Sequence, residues 1–197
     1  MDSRLKSLDE IAQSHGTDKA TVFTRTWAKP HGYTPHLERF FSELRDKPIR
    51  LLEIGCGGGE SVRTWLEYFP NAQIHAIDIV QDTNPWNSPK EKPHERYTFC
   101  HGDQSCSTFW ACFLANHGDN LWDVVIDDGS HLSADIIKTF DALWPKVAPG
   151  GIYEIEDLQV APETFPWLMG FVPESASGVG DKASIAFSKE LVIIKKS

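Results

Sequence analysis

From residue 49 onward, short apolar runs alternate with amphipathic stretches, the pattern of strands laid down between helices. Strands are predicted over 49–54, 73–78, 96–101, 122–127 and 152–155. The fourth is a continuous apolar run, as expected of a strand buried on both faces. Helices are predicted over 61–69, where Val62, Trp65, Leu66 and Phe69 form one stripe, over 107–116, and over 133–144 with Ser133 as N-cap. Pro149, Gly150 and Gly151 are expected to turn the chain into the fifth strand. Two last strands, 183–187 and 191–195, joined around Ser188, Lys189 and Glu190, read as an antiparallel hairpin. The fold class that follows is α/β and Rossmann-like: a mostly parallel seven-stranded sheet, helices on both faces, and an antiparallel C-terminal hairpin.

Ahead of that core the pattern is helical. Leu5, Leu8 and Ile11 recur near helical spacing until His15 and Gly16 stop the run, and a second helix over 35–44 carries Leu37, Phe40, Phe41 and Leu44 on one face. The polar and aromatic stretch between them is irregular. The chain is read as one domain over 1–197, with a helical cap over 1–47 and the Rossmann-like core over 48–197. Pro85, Pro89 and Pro93 exclude a regular element from 81–95, and no internal repeat is visible.

Composition narrows the partners. The 28 acidic and 19 basic residues leave a net charge of −9, which argues against nucleic acid because phosphate neutralisation needs clustered Lys and Arg. No stretch approaches the ~20 apolar residues that span a bilayer, so no membrane partner is expected. The first 14 residues lack the apolar core of a signal peptide. Cys56, Cys100, Cys106 and Cys112 form no C-x-x-C pair and are expected to be reduced thiols of a cytoplasmic protein. A homo-oligomer is compatible with the sequence.

Ligands of an open α/β sheet bind beyond the carboxyl ends of its strands. The first strand ends in Glu53, Ile54, Gly55, Cys56, Gly57, Gly58 and Gly59, and the glycines permit a sharp turn and close backbone approach. A dinucleotide fingerprint starting at Gly55 would need glycine where Glu60 stands, and Glu53 would oppose a pyrophosphate. A carboxylate suits a cationic ligand. S-adenosylmethionine carries a sulfonium and an ammonium, so the loop reads as a methyl-donor site. Asp78, ending the second strand, is placed to accept ribose hydroxyls, and Asp103, after the third, to reach the adenine edge.

The fourth and fifth strands end in acids: Asp127 and Asp128, followed by Gly129, Ser130 and His131, and then Glu154, Glu156 and Asp157. Carboxylates converging at one sheet edge repel one another unless a cation intervenes, and a hard divalent ion such as magnesium suits oxygen ligands. Asp128, Glu156 and Asp157 are the expected ligands, with Asp127 turned to the core edge or the donor-side glycine loop. His131 lies three residues past Asp128. An imidazole, with its ordinary pKa of ~6.5, is fit to accept a proton from a hydroxyl.

Together Gly16 to Lys19, His31 with Tyr33, Leu52 to Gly55, Ile126 to His131 and Glu156 to Leu158 resemble the metal-dependent sugar O-methyltransferases of macrolide and related antibiotic pathways. The resemblance runs from about Ser14 to the C-terminus. It implies the class I methyltransferase fold, S-adenosylmethionine as donor, required magnesium, His131 as base, and Asp128, Glu156 and Asp157 on the metal. It also implies that the front segment closes over the site. Thr17 and Lys19 are then expected to join Glu53, Gly55, Gly57, Asp78, Asp103 and Asp127 on the donor, while His31 and Tyr33 cover the donor or meet the acceptor. The chain is expected to lack the extra N-terminal domain of some members, and its 159–182 segment is short for an acceptor lid.

The reaction expected is an in-line displacement at the donor methyl by an acceptor hydroxyl, with a glycoside as the small-molecule acceptor. Trp167, Leu168, Met169 and Phe171 are expected to line an acceptor pocket or a subunit contact. Rival readings are a metal-assisted methyltransferase of catechols or other non-sugar hydroxyls, an NAD-dependent oxidoreductase, opposed by Glu53 and Glu60, and a non-catalytic donor-binding protein.

Overall fold

The structure is a computed structural model that describes residues 5–22, 29–81, 94–160, 164, 166–168, 183–188 and 190–197. The prolines at 85, 89 and 93, and Met169 and Phe171, lie outside the described residues.

Seven strands form one sheet: β1 (Arg50–Ile54), β2 (Gln73–Asp78), β3 (Tyr97–His101), β4 (Trp122–Asp127), β5 (Val147–Ile155), β6 (Ala183–Ser188) and β7 (Leu191–Lys196). Their order is β3-β2-β1-β4-β5-β7-β6. The first five pair in parallel, and β7 runs antiparallel to β5 and β6. The order reverses between β1 and β4, so the loops leaving these two strands diverge and open a crevice at their carboxyl ends.

Alternation along the strands sorts the core into two layers. Leu51, Ile74, Val124, Ile152 and Ile193 face a layer built on α1 (Leu8–His15), α2 (Thr34–Phe41) and α3 (Glu60–Tyr68). Leu52, Ile77, Val125, Tyr153 and Ile194 face α4 (Ser107–His117) and α5 (Ser133–Leu143). Helices thus cover both faces, and fully buried Trp65 and Trp122 anchor opposite layers.

Local chemistry explains most boundaries. Ser7 caps α1, its Oγ accepting from Glu10 N at 3.2 Å while Glu10 Oε2 accepts from Ser7 N at 2.8 Å. This leaves Leu5 outside the helix and 71% exposed. Three expectations are corrected. Ser133 begins α5 rather than capping it; the cap position is Leu132, and Ser130 Oγ accepts from its amide at 3.2 Å. The strand β5 starts at Val147 and runs through Pro149 and Gly150. There its register against β4 shifts, and β7 pairs only from Ile152 onward, so the missing proline N–H breaks no ladder on that side. Finally, Leu168 is fully buried and Trp167 sets its ring edge-on to Phe140 at 4.8 Å. Leu168 therefore belongs to the core, a correction to its expected place in an acceptor pocket or subunit contact, and Trp167 packs against that core partly buried.

Candidate functional site

The crevice at the switch point is a cleft of about 370 Å³, the lower range for a small-molecule site. Of the residues expected there, Thr17, Lys19, Gly55, Gly57, Asp78, Asp128, His131 and Asp157 line it. An adjoining cavity of about 130 Å³ shares Gly55, Asp78 and Gly129 with it and carries Asp103 on its wall.

The glycine loop is pinned by backbone hydrogen bonds. Gly55 N donates to Ile77 O at 2.8 Å, and Asp78 Oδ2 accepts from Cys56 N at 3.0 Å and Gly57 N at 3.2 Å. Asp78 Oδ1 accepts from Val80 N at 2.8 Å. Gly55 has φ +79°, and a Cβ there would lie inside the Asp128 carbonyl, so only glycine lets the β1 loop pass the β4 loop. Asp103 Oδ1 accepts from Ser105 N at 2.8 Å, and the Ser105 side-chain hydroxyl together with that amide holds its carboxyl below the usual range.

Side-chain alternation decides where each acid points. Glu53 and Glu154 both lie opposite Ile126 in the ladder, and Glu156 follows at the same parity. All three therefore face the side covered by the N-terminal helices and are buried. Asp127 faces the other way. Its Oδ1 accepts from Gln104 Nε2 at 3.1 Å, and the same Nε2 lies 3.1 Å from Thr139 Oγ1 on α5. Glu53 thus sits behind the cleft wall, not on it, a correction to its expected contact with the donor, while Asp127 is turned to the core edge, one of the two placements expected for it, and does not line the cleft. Burial pushes both carboxyls up to about 7, Lys19 opposing the shift at Glu53 and the Gln104 hydrogen bond at Asp127.

Lys19 departs furthest from expectation. Only 2% exposed, it sends its Nζ to Asp128 Oδ2 in a short contact, to Glu156 Oε2 at 2.7 Å and toward Glu53 Oε1 at 3.9 Å. Its ammonium thus meets the acids rather than standing free for a donor. Burial alone would lower its pKa, but Asp128, Glu156 and Glu53 together hold it well above the ordinary value. One ammonium does not balance the acids around it. Burial pushes Glu154 up to about 8 and Glu156 well above the carboxylate range. Among the described residues, Glu156 Oε1 and Glu53 Oε1 are buried with no hydrogen-bond partner. The unpartnered oxygens and the acids at the strand tips form an oxygen-rich donor set that fits a hard divalent cation, which would take the place of the protons held there.

Of the acids at the ends of β4 and β5, Asp128 and Asp157 face the cleft. One oxygen of each and a nitrogen of His131 lie within 4.8 Å of one another. His131 Nε2 stands 3.8 Å from Asp128 Oδ1 and 3.8 Å from Asp157 Oδ2. Glu156, the expected third ligand, is not in this group because it is turned inward onto Lys19. Both His131 (φ 56°) and Asp157 (φ 54°) adopt the left-handed conformation, a strain of ~1–3 kcal/mol each that aims them at the cleft.

Sequence reasoning missed Gln104 and Glu190. Gln104 Oε1 also accepts from Ser130 N, so its amide clamps the loop between Asp128 and His131. Its only signal was a buried amide next to Asp103. Glu190 lies 3.8 Å from His31 Nδ1, which is 3.2 Å from Asp157 Oδ1. Nothing local in the sequence pairs these three.

Strand order and a glycine loop at the switch point define a nucleoside-binding α/β domain. Residues 52–158 match the family described as "Methyltransferase domain", and the chain belongs to that family. It is 36% identical over 179 residues to the demethylmacrocin O-methyltransferase of Streptomyces fradiae, covering 86% of this chain and 41% of that protein. It is 36% identical over 169 residues to the mycinamicin VI 2''-O-methyltransferase of Micromonospora griseorubida, covering 81% and 38%. The solved structure of the MycE methyltransferase from the mycinamycin pathway, in complex with Mg and SAH, superposes with a TM-score of 0.81 at 28% identity. That superposition covers 99% of this chain and 56% of MycE. The chain spans about two fifths of the length of these two curated relatives.

Proposed function

We propose that the chain is an S-adenosylmethionine-dependent O-methyltransferase domain that methylates a hydroxyl of a glycosylated small molecule with magnesium bound. The observation that carries this reading is the convergence of Asp128, Asp157 and His131 within 4.8 Å on the wall of the same cleft as the glycine loop. The similarity to macrolide sugar O-methyltransferases and to a structure holding Mg and SAH supports the acceptor class, the metal and the donor. The reading carries a cytoplasmic setting with it, and no described helix is long and apolar enough to cross a membrane.

In this account Asp128 and Asp157 would hold the ion, with the Glu156 carboxyl at their back. When bound, magnesium supplies Lewis acidity that lowers the pKa of an acceptor hydroxyl. His131 takes that hydroxyl's proton at Nε2. The Gly55–Gly57 backbone and Asp78 hold the donor so that its methyl lies in line with the acceptor oxygen, and Asp103 bounds the cavity for its adenine end. Positioning is the main task, because a sulfonium is already an activated leaving group.

Transfer of labelled methyl groups to a panel of glycosides and catechols tests the reading. Glycoside-dependent turnover, abolished by EDTA and restored by magnesium, is expected. Full activity in chelator contradicts the metal role, and turnover on catechols alone contradicts the sugar.

A further inference from the structure

Residues 17–20 and 31–34 are zipped into one strap, whose first arm lines the cleft through Thr17, Asp18 and Lys19. His31 N donates to Asp18 O at 2.8 Å, Gly32 N to Ala20 O at 3.1 Å, and Tyr33 N and Thr34 N to Lys19 O at 2.8 and 3.1 Å. Asp9 on α1 ties both arms, accepting from Thr21 N at 2.8 Å and from Thr34 Oγ1. The strap sends two side chains inward, each to an acid more than 100 residues away in sequence. Lys19 Nζ takes Asp128 Oδ2 and Glu156 Oε2, and the Tyr33 hydroxyl donates to Asp157 Oδ1 at 2.6 Å. Each of the three acids therefore has one oxygen held from behind. The opposite oxygens of Asp128 and Asp157 face a common point, marked by His131 Nε2 at 3.8 Å from both, and among the described residues the opposite oxygen of Glu156 has no hydrogen-bond partner.

We propose that Lys19 and Tyr33 are positioning residues for the metal centre, so that the N-terminal strap sets the affinity for the divalent ion. Carboxylate ligands need outer hydrogen-bond donors to fix which oxygen they present, and losing such a donor typically weakens metal binding about 10–100-fold. Tyr33 is fully buried, and its hydroxyl donates to Asp157 Oδ1 at 2.6 Å. The inference rests on the metal dependence proposed above and reassigns Lys19 from the donor to the metal side of the cleft.

Calorimetric titration of the full chain with Mn²⁺, and separately with S-adenosylhomocysteine, tests it. Tyr33→Phe keeps the ring and its packing; it is expected to weaken Mn²⁺ binding about tenfold and leave S-adenosylhomocysteine binding unchanged. Lys19→Met is expected to weaken Mn²⁺ binding about 10–100-fold. If that variant does not fold, because it strands buried carboxylates, Tyr33→Phe decides. Unchanged Mn²⁺ affinity in Tyr33→Phe, or an equal loss of both ligands, overturns the proposal. Tighter Mn²⁺ binding in Lys19→Met overturns it too, since Lys19 would then compete with the ion. A wild-type chain that binds no Mn²⁺ defeats the metal dependence itself, and this inference with it.

Discussion

The two halves of the cleft are built differently. On the β1–β2 side, the loop holds itself: Asp78 takes three backbone amides from within two residues of it or from the adjacent glycine loop. On the β4–β5 side, the acids are held by side chains from the N-terminal strap, and among the described residues Glu154 and Glu156 keep buried oxygens without a hydrogen-bond partner. The first half is held by its own backbone; the second is held by the N-terminal strap. On the function proposed above, a preformed crevice binds donor whether or not the ion is present, while the chemistry depends on the ion and on contacts that only the folded chain supplies.

Substitutions can separate the halves. His131→Ala is expected to cut kcat about 10²–10⁴-fold while S-adenosylhomocysteine affinity stays at the wild-type value; calorimetry beside a turnover assay reads the split. Gly55→Ala should break both halves at once, because its Cβ would displace the Asp128 carbonyl from a backbone at φ +79°. Titrations with donor product and with Mn²⁺ should each show loss of about tenfold or more, alongside a lowered melting temperature. Loss of one ligand alone would show that the loops are independent. Asp78→Asn should weaken S-adenosylhomocysteine by about tenfold, a loss of ~1.4 kcal/mol, and spare Mn²⁺; weakened Mn²⁺ binding would deny the separation.

The smallest effect is on pH dependence. Burial raises Asp127 to about 7 and Glu154 to about 8, well above unfolded carboxyls. The folded, metal-free chain therefore holds protons that the unfolded chain releases near pH 4. The stability tied to these groups is fully present below that pH and is lost as pH rises through 7 and 8. The melting temperature of the metal-free chain should fall across pH 6–8.5, and magnesium should flatten the fall. A metal-free melting temperature that rises over this range would contradict the protonation.

Legibility followed the range of the interactions. β2 and β4 were readable to their end residues because an acid closes each apolar run at the sheet edge. The start of β5 was not, since Pro149 and Gly150 signal a turn and only pairing with β4 reveals a bulged strand. Asp128, His131 and Asp157 announced themselves as neighbours of strand ends. The inward turn of Glu53 and Glu156 follows from strand alternation that the sequence contains, but its consequence depends on Lys19 reaching them from the other end of the chain. The part played by Gln104 depends likewise on Asp127 and Thr139 meeting across α5.

The most direct test is a crystal structure of the chain grown with Mn²⁺ and S-adenosylhomocysteine, with anomalous data collected at the manganese edge. One anomalous peak is expected between Asp128 and Asp157, beside the sulfur of the nucleoside and within reach of a hydroxyl facing His131. A peak remote from these carboxylates, or none while the nucleoside fills the cleft, would contradict the account.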